Sequence, residues 1–176
     1  SPVDEEVTIV AIDQWDNEST KVVQVKVEIK EIEVVRDYPN LNPSKINGYK
    51  NSDSIAIIIG IEKYKDIFEC IYCNRDASFF REYAIRALGV ESSNIKLLVD
   101  DKAARPQILE AFKLWLPRIA ADGGKDIYIF FSGHGLASDD GDDLYILPQD
   151  GNSLLLEDTA ITRVKLISFI QKVNPK

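Results

Sequence analysis

Asp126-Ile127-Tyr128-Ile129-Phe130-Phe131-Ser132-Gly133-His134-Gly135 is the stretch that decides the fold. Its apolar run, Ile127 to Phe131, is β-branched and aromatic, the composition of a strand buried in a sheet. It ends abruptly in Ser-Gly-His-Gly. His134 is the only histidine in 176 residues. In open α/β sheets reacting groups collect at the carboxyl ends of strands. The spacing therefore offers His134 as a general base. Flanking glycines let a substrate approach the backbone, and the N–H just after the histidine, that of Gly135, suits an oxyanion. A lone histidine with no chemical role is the plainer alternative.

Working outward, the same α/β texture runs from Ser54 onward. Ile55 to Gly60 is a continuous apolar run of strand length, as expected of a strand covered on both faces. Asp76 to Leu88 has helical spacing and stops at Gly89. Ile95 to Val99 reads as a second strand. Arg105 to Ala121 reads as a second helix, with Pro106 in its first turn and Pro117 kinking its end. Leu144 to Leu147 is a short strand closed by Pro148. Thr162 is placed to cap a last helix through Val173. This order predicts an α/β fold, a mostly parallel sheet with helices on both faces.

Residues 1–36 read differently. Val7 to Asp13 is a strand candidate, and Gln14 to Ser19 is turn chemistry. From Lys21 to Val35, Val23, Val25, Val27 and Ile29 alternate with Gln24, Lys26, Glu28 and Lys30, predicting a hairpin with one buried face. The pattern is similar to the last two strands of an immunoglobulin-like domain. That points to an extracytoplasmic setting, while localisation stays open. Residues 37–53, rich in Pro, Asn, Gly and Ser, read as a linker, leaving 54–176 as the main domain.

The formal net charge of −8 argues against nucleic-acid binding and suits basic partners. No apolar run approaches the roughly 20 residues of a membrane helix. The two cysteines, Cys70 and Cys73, are spaced C-x-x-C. A zinc site lacks further ligands, and a redox motif of the thioredoxin kind opens a helix directly after a strand, whereas a loop intervenes here. We expect packed thiols. No Gly-x-Ser-x-Gly elbow and no Walker A sequence is present.

Taken in order, Ile59-Gly60-Ile61 with Tyr64, Tyr72-Cys73-Asn74-Arg75-Asp76-Ala77, Leu97-Leu98-Val99-Asp100, Phe130 to Gly135 and Tyr145-Ile146-Leu147-Pro148-Gln149-Asp150 form a pattern. Over residues 54–176 it resembles the caspase-like cysteine peptidases of family C14, most closely the bacterial, orthocaspase and metacaspase branch. The resemblance implies a three-layer caspase-like fold preceded by the short β-rich segment. It implies His134 as catalytic base and Gly135 as an oxyanion donor. Asp76 matches an acid of the primary specificity pocket, where a carboxylate pairs with a Lys or Arg of a protein or peptide substrate. The plainer reading of Asp76 is an acid favourable at a helix start. Ser132 either lines that pocket or merely ends the strand. Cys73 falls beside the pocket.

In caspases the nucleophile follows the histidine by about 50 residues, which is roughly position 184. Neither cysteine of this chain stands there. The resemblance therefore implies that the thiol comes from a remaining C-terminal part of the domain, and that this piece alone is inactive. Some metacaspases need calcium. Asp143 suits that pattern, but Thr162 and Arg163 stand where further acids are required. We expect no cofactor and no metal, with Asp139, Asp140, Asp142 and Asp143 forming a solvated acidic loop. The alternatives are a non-catalytic caspase-like scaffold and a gingipain- or legumain-like enzyme.

Overall fold

The computed structural model describes residues 5–25, 42–46, 48, 50–138 and 140–176. The chain divides into two compact units, Ser1–Asn40 and Leu41–Lys176.

In the first unit β1 (Glu5–Ile12) pairs antiparallel with β2 (Glu18–Val25), Val7 opposite Val23 and Ile9 opposite Lys21. Asp13 makes the turn. Its carboxylate accepts the N–H groups of Trp15 (2.8 Å) and Asn17 (3.0 Å) and the Asn17 side-chain amide (2.9 Å). These bonds, the Asn17 side chain foremost, hold its pKa below the usual carboxylate range. The expected buried face is absent from the described part of the ribbon. Val23 is half-buried, while Val7, Ile9, Val10, Ile12, Val22 and Val25 are exposed, because two strands cover neither face. The predicted continuation through Val27 and Ile29 to Val35 lies outside the described residues, as do residues 37–41, 47 and 49 of the predicted linker. Pro43–Lys45, within that linker, forms a 3₁₀ turn in the second unit, capped by Asn42, whose Oδ1 accepts the Ser44 N–H at 3.0 Å.

The second unit is built on β3 (Ser54–Gly60), buried along its whole length. It pairs parallel with β4 (Ile95–Val99) on one side and β5 (Asp126–Ser132) on the other. Successive strand side chains point to opposite faces. Ala56 and Ile58 meet Ala77 and Ala84 of α1 (Cys73–Arg86). Ile55, Ile57 and Ile59 meet Ile108 of α2 (Arg105–Glu110), Phe112, Leu116 of α3 (Leu116–Ile119) and, further on, Leu166 and Phe169. The result is three layers, helix–sheet–helix, as the apolar run of β3 predicts. Gly60 ends the strand where only a glycine fits, since an added Cβ would lie 2.5 Å from the Ala77 Cβ and 2.6 Å from the Cys73 carbonyl oxygen. The start of α1 is thereby brought against the strand end.

α1 begins three residues before the expected Asp76. The expected single helix over 105–121 contains a π turn at Ala111–Trp115. There the Leu116 N–H donates to the Ala111 carbonyl, five residues back. Pro117 has no N–H to give the Lys113 carbonyl, and the wide turn sits directly before it. After β5 come β6 (Gly135–Ala137), β7 (Leu144–Ile146), α4 (Leu156–Thr159), β8 (Ile161–Thr162) and α5 (Arg163–Gln171). β6, β7 and β8 form a separate antiparallel sheet. Only β7 of these strands is predicted from the sequence. The Thr162 hydroxyl caps α5 as expected, accepting the Lys165 N–H at 3.2 Å.

Candidate active site

His134 stands where the parallel sheet ends and the antiparallel one begins. The Ile61 N–H donates to the Ser132 carbonyl (2.9 Å), carrying the β3–β5 pairing one step past the strand. The loop that follows Ile61 then folds over the histidine. Asp100, in the left-handed region at φ 45°, gathers this loop. Its Oδ1 accepts the N–H groups of Glu62 (2.8 Å) and Lys63 (3.0 Å), and its Oδ2 the Asn74 side-chain amide (3.4 Å).

Two residues of that loop hold His134. Its backbone N–H donates to Tyr64 Oη at 2.7 Å, and the two rings lie 4.8 Å apart. Burial, helped by the charge of Asp100, pushes the Tyr64 phenol up to about 12, so the hydroxyl stays protonated at any physiological pH. The His134 Nε2 lies 3.0 Å from the Phe68 carbonyl oxygen, and the Phe68 ring meets the imidazole edge-on at 4.7 Å. A carbonyl only accepts, so Nε2 carries the hydrogen and Nδ1 the lone pair of the neutral ring. Among the described residues Nδ1 has no hydrogen-bond partner. Gly133 is required by the same packing. A Cβ there would lie 2.5 Å from Tyr64 Oη and 2.9 Å from the Phe131 ring.

Gly135 opens β6 opposite Ile146. The Leu147 N–H already reaches back to the His134 carbonyl at 3.0 Å. That bond makes Gly135–Ile146 a non-hydrogen-bonded pair, so the Gly135 N–H is directed away from β7. The arrangement offers a proton acceptor and an N–H donor on adjacent residues.

Asp76 and Ser132, 56 residues apart, are brought together at the same sheet end. Ser132 Oγ donates to Asp76 Oδ2 at 3.3 Å, and the Asp76 carboxylate is exposed. Asp76 also lines a cleft of about 670 Å³ with Arg75, Phe79, Phe80, Tyr83 and Phe130. The Arg75 guanidinium lies 4.7 Å over the Tyr72 ring. Cys70 and Cys73 are not packed thiols: they are joined in a disulfide. The loop places them within reach of each other because the Cys73 N–H donates to the Cys70 carbonyl at 3.1 Å. Asp140 accepts the Ser138 hydroxyl and the Asp142 N–H, which hold its carboxyl below the usual range. Asp143 gives its N–H to Ser138 Oγ. Asp139 lies outside the described residues. Arg163 opens α5, directly after the capping Thr162.

Sequence reasoning gave no role to Tyr64, Phe68 or Asp100. Tyr64 and Asp100 belong to the ordered pattern and were open to notice. Phe68 acts through its carbonyl, which every residue possesses.

A family model described as a caspase domain, of peptidase family C14, matches residues 53–173, well over half of the chain. No curated protein matches it. Among the described residues no helix is long and apolar enough to cross a membrane.

Proposed function

The chain belongs to the caspase-domain family of peptidases, and from that premise we propose that it is the base-bearing part of a cysteine endopeptidase that cuts after lysine or arginine. The observation that carries this reading is the tethered ring of His134, with Nε2–H bound to the Phe68 carbonyl, Nδ1 without a partner among the described residues, and the N–H of the next residue, Gly135, directed away from β7. Nδ1 takes the proton of a thiol, and the thiolate attacks the scissile carbonyl carbon. The Gly135 N–H donates to the oxyanion that forms. His134 returns the proton to the leaving amine, then takes one from the water that hydrolyses the thioester. The Phe68 carbonyl stabilises the imidazolium through both steps.

Cys70 and Cys73 both precede His134 in the chain, whereas the caspase nucleophile follows its histidine, so the reading assigns the thiol to another segment. β5 pairs with β3 on one side only, among the described residues. A strand added to its free edge brings a nucleophile beside His134, and we assign the remaining part of the peptidase domain to that place. Asp76, with Ser132 donating to it, supplies the carboxylate for a basic side chain. The net charge of −8 favours the same substrates.

The test uses the full-length protein and peptides with Arg, Lys, Asn or Asp before the scissile bond. Cleavage after Arg and Lys is expected. His134→Ala should cut it by about 10³-fold, and Asp76→Ala by about 10²-fold without raising cleavage after Asn. Unchanged Arg cleavage in Asp76→Ala removes the pocket assignment. No cleavage of any peptide leaves the non-catalytic scaffold.

A further inference from the structure

We infer that the Cys70–Cys73 pair is a thiol–disulfide exchange site that controls how firmly the ring of His134 is held. The inference rests on His134 being the base. The disulfide joins the two segments that build the site. Two residues before Cys70 is Phe68, whose carbonyl takes the His134 Nε2–H. Three residues after Cys73 is Asp76, which accepts from Ser132.

Tyr64 and Ile67 pack the loop against Tyr145, Leu147 and Ala160, and its backbone bonds are few between Lys65 and Cys70. The N–H groups of Glu62 and Lys63 are held by Asp100, that of Lys65 by the Gln149 carbonyl (3.2 Å) and that of Cys70 by the Glu62 carbonyl (2.9 Å). Among the described residues no backbone bond is donated by Asp66, Ile67, Phe68 or Glu69. Phe68 is 78% exposed, and its one ring contact is the edge-on one with His134 itself. Tyr72, inside the disulfide-closed turn, sits in the left-handed region at φ 73°. A bulky aromatic residue disfavours that region, so the closed turn holds a conformation that relaxes once the bond opens.

The chemistry of the pair suits exchange. Cys70 is half-buried and reachable, while Cys73 is buried and is the first residue of the 14-residue α1. A thiolate at a helix N-terminus is stabilised by the helix dipole and is a good leaving group. A thiolate of an external dithiol attacks Cys70 Sγ, the Cys70–Cys73 bond breaks, and Cys73 leaves as the thiolate. The second thiol of the reductant then attacks the mixed disulfide and frees Cys70. The protein gains two electrons and two protons, and the dithiol becomes a disulfide. The reverse reaction uses a disulfide oxidant such as oxidised glutathione. With the bond open, the loop carrying Phe68 loosens, and the Nε2–H bond to its carbonyl is made only part of the time.

Because His134 is the only histidine, ring-labelled chain gives one set of imidazole signals. In oxidised glutathione the nitrogen spectrum of the chain should show the Nε2–H tautomer with a hydrogen-bonded proton. In dithiothreitol it should move to an exchanging mixture, and reoxidation should restore it. Mass spectrometry after alkylation should count no free thiol in the first state and two in the second. Cys70→Ser should show the reduced spectrum in both buffers. In the full-length protein the same variant should lose about 10-fold in kcat on an Arg peptide with KM little changed, the mark of a misheld base. Two free thiols in oxidised glutathione, or one ring spectrum in both buffers, would overturn the inference. The ring readout needs no hydrolysis, so an inactive full-length protein strikes the peptidase reading alone. An unresponsive ring in an enzyme that His134→Ala inactivates strikes this inference alone.

Discussion

Replacing Tyr64 by Phe removes one oxygen from the frame around His134. The ring that lies 4.8 Å from the imidazole is kept, and the acceptor of the His134 N–H at 2.7 Å is lost. His134 is half-buried, so an orphaned N–H there costs about 1 to 2 kcal/mol, or roughly 3 to 7 °C in Tm for a unit of this size. The phenol adds a pH dependence that Phe cannot have. Its pKa rises from 10.0 to about 12, through burial first and then the charge of Asp100, against the lowering effect of the His134 N–H. The folded chain thus holds the phenol proton more tightly than the unfolded one. That contribution is complete below pH 10 and is lost as pH rises from 10 to 12. Two units amount to at most about 2.7 kcal/mol, and solvent reaching the half-exposed ring cuts this to about 1 kcal/mol. Urea unfolding of both proteins between pH 8 and pH 11.5 measures it. The wild type should lead by about 1 to 2 kcal/mol at pH 8, and the lead should close as pH climbs past 10. Every other titrating group is common to both chains and cancels in the difference. A gap absent at pH 8 refutes the assigned contact, and a gap constant with pH refutes the burial-driven rise of the phenol.

Gly133→Ala drives a methyl into Tyr64 Oη and the Phe131 ring. It should destabilise the chain by about 1 to 3 kcal/mol, seen in the urea midpoint. Because part of that clash is with the hydroxyl, adding Tyr64→Phe should cost less than the sum of the two changes. Thr162→Ala removes the oxygen that accepts the Lys165 N–H and should cost about 1 kcal/mol, while Thr162→Ser should keep most of it. Equal losses in the Ala and Ser variants would show that packing of the methyl, not the cap, is at stake.

The elements legible in the sequence are those that bury much apolar surface. The run Ile55 to Gly60 reads as a doubly covered strand because α1 covers one face and α2, α3 and α5 the other. Thr162 reads as a cap because a hydroxyl before a periodic apolar stretch has one common use. The misses have local causes. α1 starts at Cys73, where no apolar periodicity marks it and Tyr72 supplies no side-chain cap. β6 and β8 have three and two residues, too few to show alternation. Leu144-Tyr145-Ile146 is visible because Tyr145 and its neighbour Leu147 are buried. In the candidate site, His134 and Gly135 are marked by residue type, and Asp76 and Ser132 by the resemblance. The tether at Phe68 leaves no trace in side-chain chemistry.

A lone histidine at a strand end is more than a structural residue when its polar atoms are unevenly satisfied, and those of His134 divide in that way. The backbone N–H goes to Tyr64, the carbonyl oxygen receives the Leu147 N–H, and Nε2–H goes to Phe68. Two segments supply these partners: the loop between β3 and α1, through Tyr64 and Phe68, and the residue after β7, Leu147. A histidine kept only for packing has no reason to collect three partners and leave the fourth polar atom without one, because interiors tend to satisfy what they enclose. Here the constraints fix both the position and the tautomer of the ring, and the unsatisfied atom is the basic nitrogen. That distribution supports a base held for a reacting proton. It also locates the weak point of the arrangement, because the Tyr64 and Leu147 contacts hold the backbone of His134 while only the Phe68 carbonyl holds a polar atom of its ring.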